Sequence, residues 1–140
     1  MTIDGVTPGE HRLNVEAEGF DGIARTIDVA PGTQRIEVKL REIRLDAAID
    51  VVHKHRIGSC TGRLSATVMG VRYETMHAED AFDVGLPDLE TFTVDYIEKN
   101  LRVELRGGKT YNFTDPEGLA DRLFVFHRDV TKAREQLAAR

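Results

Sequence analysis

The sequence predicts a mainly β protein: a small antiparallel β-subdomain followed by a seven-stranded half-open barrel capped by one C-terminal α-helix. Three observations predict it. Apolar and polar residues alternate with a period of two through about the first three quarters of the chain, as in strands with one buried face. Gly and Pro interrupt that alternation at short intervals and mark turns. From Asp115 onward the apolar residues recur every three or four positions instead, the spacing of one helix face.

The first subdomain is expected over residues 1–42. Leu13, Val15 and Ala17 alternate with Arg12, Asn14 and Glu16 until Gly19 interrupts the run. Ile27 and Val29 belong to a second strand, and Pro31-Gly32 forms a turn, since Pro fixes φ and Gly tolerates a positive one. Ile36, Val38 and Leu40 alternate with Arg35, Glu37 and Lys39 and are expected to make a third strand. Three such strands supply one modest apolar face.

The barrel is expected over residues 44–140. Leu45, Ala47, Ile49 and Val51 open a long strand running toward Arg56, and Gly58 and Gly62 bracket the turn after it. Leu64, Ala66 and Val68 share the face of the next strand, and Gly70 leads through a tight hairpin to Val71 and Tyr73. Phe82, Val84 and Leu86 form a fourth strand, closed by Pro87-Asp88. Phe92, Val94 and Tyr96 form a fifth, Leu101, Val103 and Leu105 a sixth, Tyr111 and Phe113 a seventh. Glu98-Lys99-Asn100 reads as a polar turn.

Register can be argued at Gly107-Gly108. A two-residue loop would oppose Arg106 to Lys109 and turn Tyr111 away from the face of Leu101, Val103 and Leu105. A three-residue loop, Arg106-Gly107-Gly108, pairs Leu105 with Lys109, Val103 with Tyr111 and Leu101 with Phe113. The left-handed residue of that loop is expected at Gly108.

Asp115 before Pro116 reads as a helix start, because the carboxylate accepts orphan N–H groups and Pro suits the first helical position. Leu119, Leu123, Phe126, Val130 and Leu137 fall on one face, widened by Phe124 and Val125. Arg122, Arg128, Asp129, Lys132 and Glu135 fall on the solvent side. Arg134 and Arg140 lie near the end, where positive charge suits the helix dipole.

Composition narrows the function. With 41% hydrophobic and 31% charged residues in 140, the chain is a folded protein of about one ordinary domain or two small ones. No apolar run reaches the roughly 20 residues of a membrane helix, and a formal net charge of −5 argues against nucleic acid as a partner. The single Cys60 excludes an internal disulfide and a Cys-rich zinc site. No cofactor is called for.

Within residues 44–140, the order of elements resembles a bacterial pleckstrin-homology-like (PH-like) domain. So do the segments His53-Lys54-His55-Arg56-Ile57-Gly58-Ser59-Cys60 and Gly107-Gly108-Lys109-Thr110-Tyr111-Asn112-Phe113. Residues 1–42 resemble the later part of a PEGA domain: Pro8-Gly9-Glu10-His11, Glu18-Gly19-Phe20, Pro31-Gly32-Thr33 and Val38-Lys39-Leu40 follow its order of turns and strands. The opening strands of that family have no counterpart, so the chain reads as a piece of a longer bacterial multi-domain protein, whose compartment the parent chain would set. The resemblances imply a non-enzymatic adaptor that recognises a peptide or protein segment. A cell-envelope scaffold contacting glycan or surface components is the alternative they leave open.

Lys54, Arg56 and Arg63 flank the first turn of the barrel and Arg72 stands on its third strand. Phosphoinositide-binding PH domains gather basic residues there, which implies an anionic-lipid headgroup as a further candidate ligand. Lys54 and Arg63 match that family pattern, but Ser65 stands where it has Arg. The remaining chemistry reads as structural. Cys60 with His53 or His55 is the sole Cys/His combination, yet Gly58-Ser59-Cys60-Thr61-Gly62 carries no nucleophile motif and reads as a loose turn. His53 and His55 project from one face of a strand, but zinc sites use three or four ligands, and no partnered Cys or acidic cluster stands nearby in sequence. His11, His77 and His127 are dispersed. Gly107-Gly108 lacks the spacing and following helix of a phosphate loop. No catalytic residue and no metal ligand is assigned.

Overall fold

The computed structural model describes residues 1–138; Arg140, expected at the helix end, lies outside the described residues. The fold is mainly β, with two antiparallel sheets of two and seven strands and one C-terminal helix. The described residues divide into two compact units, residues 1–43 with 136–138, and residues 44–135.

In the first unit, β1 (Gly9–Val15) pairs with β2 (Ile23–Val29), setting Leu13 opposite Arg25 and Val15 opposite Ile23. The expected third strand does not form: residues 31–40 make no ladder, and Ile36 is 38% exposed. Alternation alone does not make a strand; the backbone must also find a partner edge. Here side chains supply the bonds instead. Gln34 accepts from the Ala30 N–H and donates to the Asp28 carbonyl, while Arg25 donates to the Glu37 carbonyl. Pairing resumes only at a single bridge between Phe20 and Glu42, flanked by the Asp21 N–H on the Arg41 carbonyl and the Ile43 N–H on the Gly19 carbonyl.

The second unit contains β3 (Asp46–Lys54), β4 (Ser59–Thr67), β5 (Gly70–Thr75), β6 (Phe82–Val84), β7 (Leu89–Asp95), β8 (Asn100–Leu105) and β9 (Thr110–Thr114), then α1 (Asp121–Ala138). Their order across the sheet is β6-β5-β4-β3-β9-β8-β7, which leaves β6 and β7 as edges. β3 pairs with β4 along its whole length but with β9 only at Val52 and His53. Val51, Leu64, Val71, Tyr73, Leu101, Val103, Tyr111 and Phe113 point inward and are almost wholly buried. Leu123, Phe126, Val130 and Ala133 of α1 cover them and are equally buried, so the helix caps the half-open barrel.

Four local expectations are corrected. The turn after β3 is residues 55–58, closed by the His55 N–H on the Gly58 carbonyl at 3.1 Å, and Gly62 lies inside β4 opposite Val51. A Cβ at Gly62 would come within 2.5 Å of the Tyr73 ring and of the Glu74 carbonyl, so the inner face needs a missing side chain there. The β8–β9 hairpin has the expected pairs, Leu101 with Phe113 and Val103 with Tyr111, and the Leu105 N–H reaches the Lys109 carbonyl. Its left-handed residue is Gly107 (φ 65°), not Gly108. The Gly108 N–H closes a four-residue turn onto the Leu105 carbonyl at 3.0 Å, and a type II turn takes positive φ at its third position.

The helix starts at Asp121 rather than beside Pro116. Asp115 does accept backbone N–H groups, from Glu117 at 2.9 Å and Leu119 at 3.1 Å, but it holds them in a local turn that competes with the helix. Leu119 is consequently 54% exposed instead of joining the buried stripe. Tyr96 likewise falls outside β7, in a turn where the Asp95 carboxylate accepts the N–H groups of Ile97 and Glu98.

Candidate functional site

The polar side chains that converge in the barrel do so where β3 meets both β4 and β9. His53 sits opposite Cys60 on β4 and opposite Phe113 on β9, and both His53 and Cys60 are buried. Two residues on, His55 projects from the same side of the chain, because strand side chains repeat with period two. Asp80 arrives from the loop between β5 and β6. That loop is fastened by the Asp80 N–H on the His77 carbonyl (2.9 Å) and by Lys109 Nζ on the Glu79 carbonyl (2.7 Å).

One donor atom from each of His53, His55, Cys60 and Asp80 lies within 4.8 Å of all the others. His55 Nε2 is 3.1 Å from Cys60 Sγ and 3.5 Å from Asp80 Oδ2, and His53 Nδ1 is 3.8 Å from Cys60 Sγ. Around them, Tyr73 Oη lies 3.6 Å from Cys60 Sγ, and Lys109 Nζ lies 3.7 Å from the other Asp80 oxygen. The rings of Tyr111 and Phe113 pack against His53 with centroids 4.9 and 5.6 Å away. Burial, then His55, lowers the His53 pKa from its ordinary 6.5, so the ring is neutral at neutral pH. Burial likewise raises the phenol of Tyr73, with the Cys60 contact adding to it, and that of Tyr111.

The contacts of the cluster differ from those of a nucleophilic triad. In a triad the thiol and the carboxylate address opposite nitrogens of one imidazole, so the acid orients the base. Here Cys60 and Asp80 both address Nε2 of His55. The four donor atoms instead gather within 4.8 Å of one another, a spacing that a set of ligands could have.

The basic residues are placed differently. Arg63 pairs with Asp50 directly across the β3–β4 ladder at 3.2 Å, and Arg72 lies between Glu74 (3.3 Å) and Asp83 (3.4 Å). Lys54 ends β3 and Arg56 lies in the turn, both exposed. Two of the four cations are therefore matched by carboxylates on the outer face. An open groove of about 530 Å³ crosses that face, lined by Asp50, Arg63, Glu74 and Met76 among others.

A second feature lies along α1 and the edge strand β7. Arg134 donates to the Leu89 carbonyl (2.9 Å), His127 Nε2 to the Phe92 carbonyl (3.1 Å), and the rings of Phe124 and Tyr96 meet at 4.6 Å. Arg134 thus serves a strand edge as well as a helix end. Tyr96 is 67% and Ile97 90% exposed where this seam ends.

No family model matches the sequence, and no curated protein matches it. Among solved structures the chain is similar to the C-terminal domain of an unknown protein from Leishmania infantum. The identity is 12% and the TM-score 0.41, over 58% of this chain and 81% of that one. No helix among the described residues is long and apolar enough to cross a membrane.

Proposed function

We propose that this chain is a non-enzymatic binding module, a PEGA-like piece joined to a PH-like barrel, and that the barrel recognises an extended peptide or protein segment. The strand order β6-β5-β4-β3-β9-β8-β7 with a capping helix supports the PH-like reading. The observation that carries the function is the seam between β7 and α1. β7 has a neighbouring strand on one side only, and strand addition at such an edge gives affinity through main-chain bonds. Arg134 and His127 already hold the carbonyls of Leu89 and Phe92, so the incoming segment pairs with the far half of the strand, Thr93–Asp95. Its side chains cover Tyr96, Ile97 and the edge of Phe124.

Panning a random peptide library against the chain tests this reading. Enriched peptides should bind the wild-type chain by fluorescence anisotropy and lose at least about tenfold in affinity, or about 1.4 kcal/mol, in the Tyr96→Ser/Ile97→Ser double variant. Failure to enrich, or peptides indifferent to the double variant, would contradict it. Sedimentation with anionic vesicles provides the lipid control. Because Arg63 and Arg72 are neutralised by Asp50, Glu74 and Asp83, little binding is expected at moderate salt.

A further inference from the structure

We propose that His53, His55, Cys60 and Asp80 form a four-coordinate site for a borderline transition-metal dication, zinc(II) foremost. The site goes beyond peptide recognition and involves none of the residues of the β7–α1 seam.

Tetrahedral bonds of about 2.0–2.3 Å put neighbouring donors about 3.3–3.8 Å apart. Three of the six donor separations, at 3.1, 3.5 and 3.8 Å, lie at or beside that range, and every pair is within 4.8 Å. Two imidazoles, a thiolate and a carboxylate are ligands that suit zinc, whereas magnesium and calcium prefer oxygen alone. On binding, the Cys60 S–H bond breaks, an S–metal bond forms and the proton leaves to solvent. A thiolate and a carboxylate together cancel the charge of a dication, so a half-buried site ends neutral.

The surroundings have the form that ligands require. Asp80 turns Oδ2 toward His55 while Lys109 stands at Oδ1, which fixes the carboxylate. Tyr73 Oη stands beside Cys60 Sγ, where it can donate to a thiolate. Gly62 contributes by omission, since a side chain there would meet the Tyr73 ring. Four protein donors leave no open position for substrate, which marks the ion as structural. It would staple the β3–β4 hairpin to the β5–β6 loop.

Cobalt(II) is the probe, because a tetrahedral cobalt–thiolate centre has a sulfur-to-metal charge-transfer band and strong visible ligand-field bands. The full chain, reduced and metal-free, should bind one cobalt(II) with both features, and zinc(II) should displace it and raise the thermal midpoint. His55→Gln and Asp80→Asn alter partly exposed side chains (32% and 13%) and should keep the native circular dichroism. Each should weaken binding by about 100-fold or more, and Lys109→Met by about tenfold. Cys60→Ser should remove the charge-transfer band; if that buried change unfolds the chain, the two rim variants decide. Absence of the thiolate band in the wild-type chain overturns the proposal. So does cobalt binding that His55→Gln and Asp80→Asn leave unchanged.

Discussion

Gly107 and Gly108 are neighbours in one hairpin, yet their backbones differ. Gly107 has φ 65°, in the left-handed region that a β-branched side chain enters at a cost of about 1–2 kcal/mol. Gly108 lies outside the left-handed region, and a Cβ there would sit 3.1 Å from the Leu105 Cβ, so that neighbour would have to give by only a few tenths of an ångström. Gly107→Val should therefore lower stability more than Gly108→Val, as read from urea midpoints. The opposite order would restore the loop expected from sequence. Tyr73 and Tyr111 carry a second consequence at this scale. Burial raises both phenols above their ordinary pKa of 10.0, so the unfolded chain loses its phenolic protons first. Their contribution is fully present below about pH 10 and is lost as pH rises through the raised values. Alkaline titration should show phenolate absorbance for these two residues appearing together with loss of the β-sheet signal. Early ionisation of all three tyrosines in a folded chain would show that the rings are not buried.

At the scale of elements, α1 is a structural plug. Leu123 and Phe126 are 0% and 1% exposed, and truncating either to Ala should cost about 2–5 kcal/mol by chemical denaturation. Near-neutral results for both would mean that the helix does not seal the barrel. All seven barrel strands and this helix were legible in sequence, because each has its own apolar period and its own turn residues. Residues 33–40 were misread for the converse reason: Ile36, Val38 and Leu40 alternate well, but a strand also needs an edge to pair with. The early helix start at Asp115 failed because an Asp can hold nearby N–H groups in a turn as well as at a helix cap. Three of the four members of the polar cluster could be read locally, since His53 and His55 share a face and Cys60 follows closely. Asp80 could not. It arrives through the β5–β6 loop, and its approach depends on pairing between strands that no local spacing records. Placing the turn at residues 55–58 would have set His53 opposite Cys60, and that was the one missed signal within reach.

At the scale of the molecule the two units are unequal. Among the described residues, the only buried apolar one in the first unit is Ile43, and the rest run from Leu45 to Ala133. A two-stranded sheet with a half-covered face is marginal by itself, whereas seven strands sealed by a helix enclose a complete core. Eight of the nine aromatic residues, all but Phe20, lie in the larger part of the chain. Both the β7–α1 seam and the His/Cys/Asp cluster also lie there. Binding and metal chemistry would then travel with the barrel. The most direct measurement is chemical unfolding of a polypeptide of residues 44–140, followed by near-ultraviolet and far-ultraviolet circular dichroism. The expected result is one cooperative transition in which both signals coincide, with the β-sheet content of the larger unit retained. An unfolded product, or a compact one without near-ultraviolet signal, would show that residues 1–43 complete the core and that the barrel is not a module.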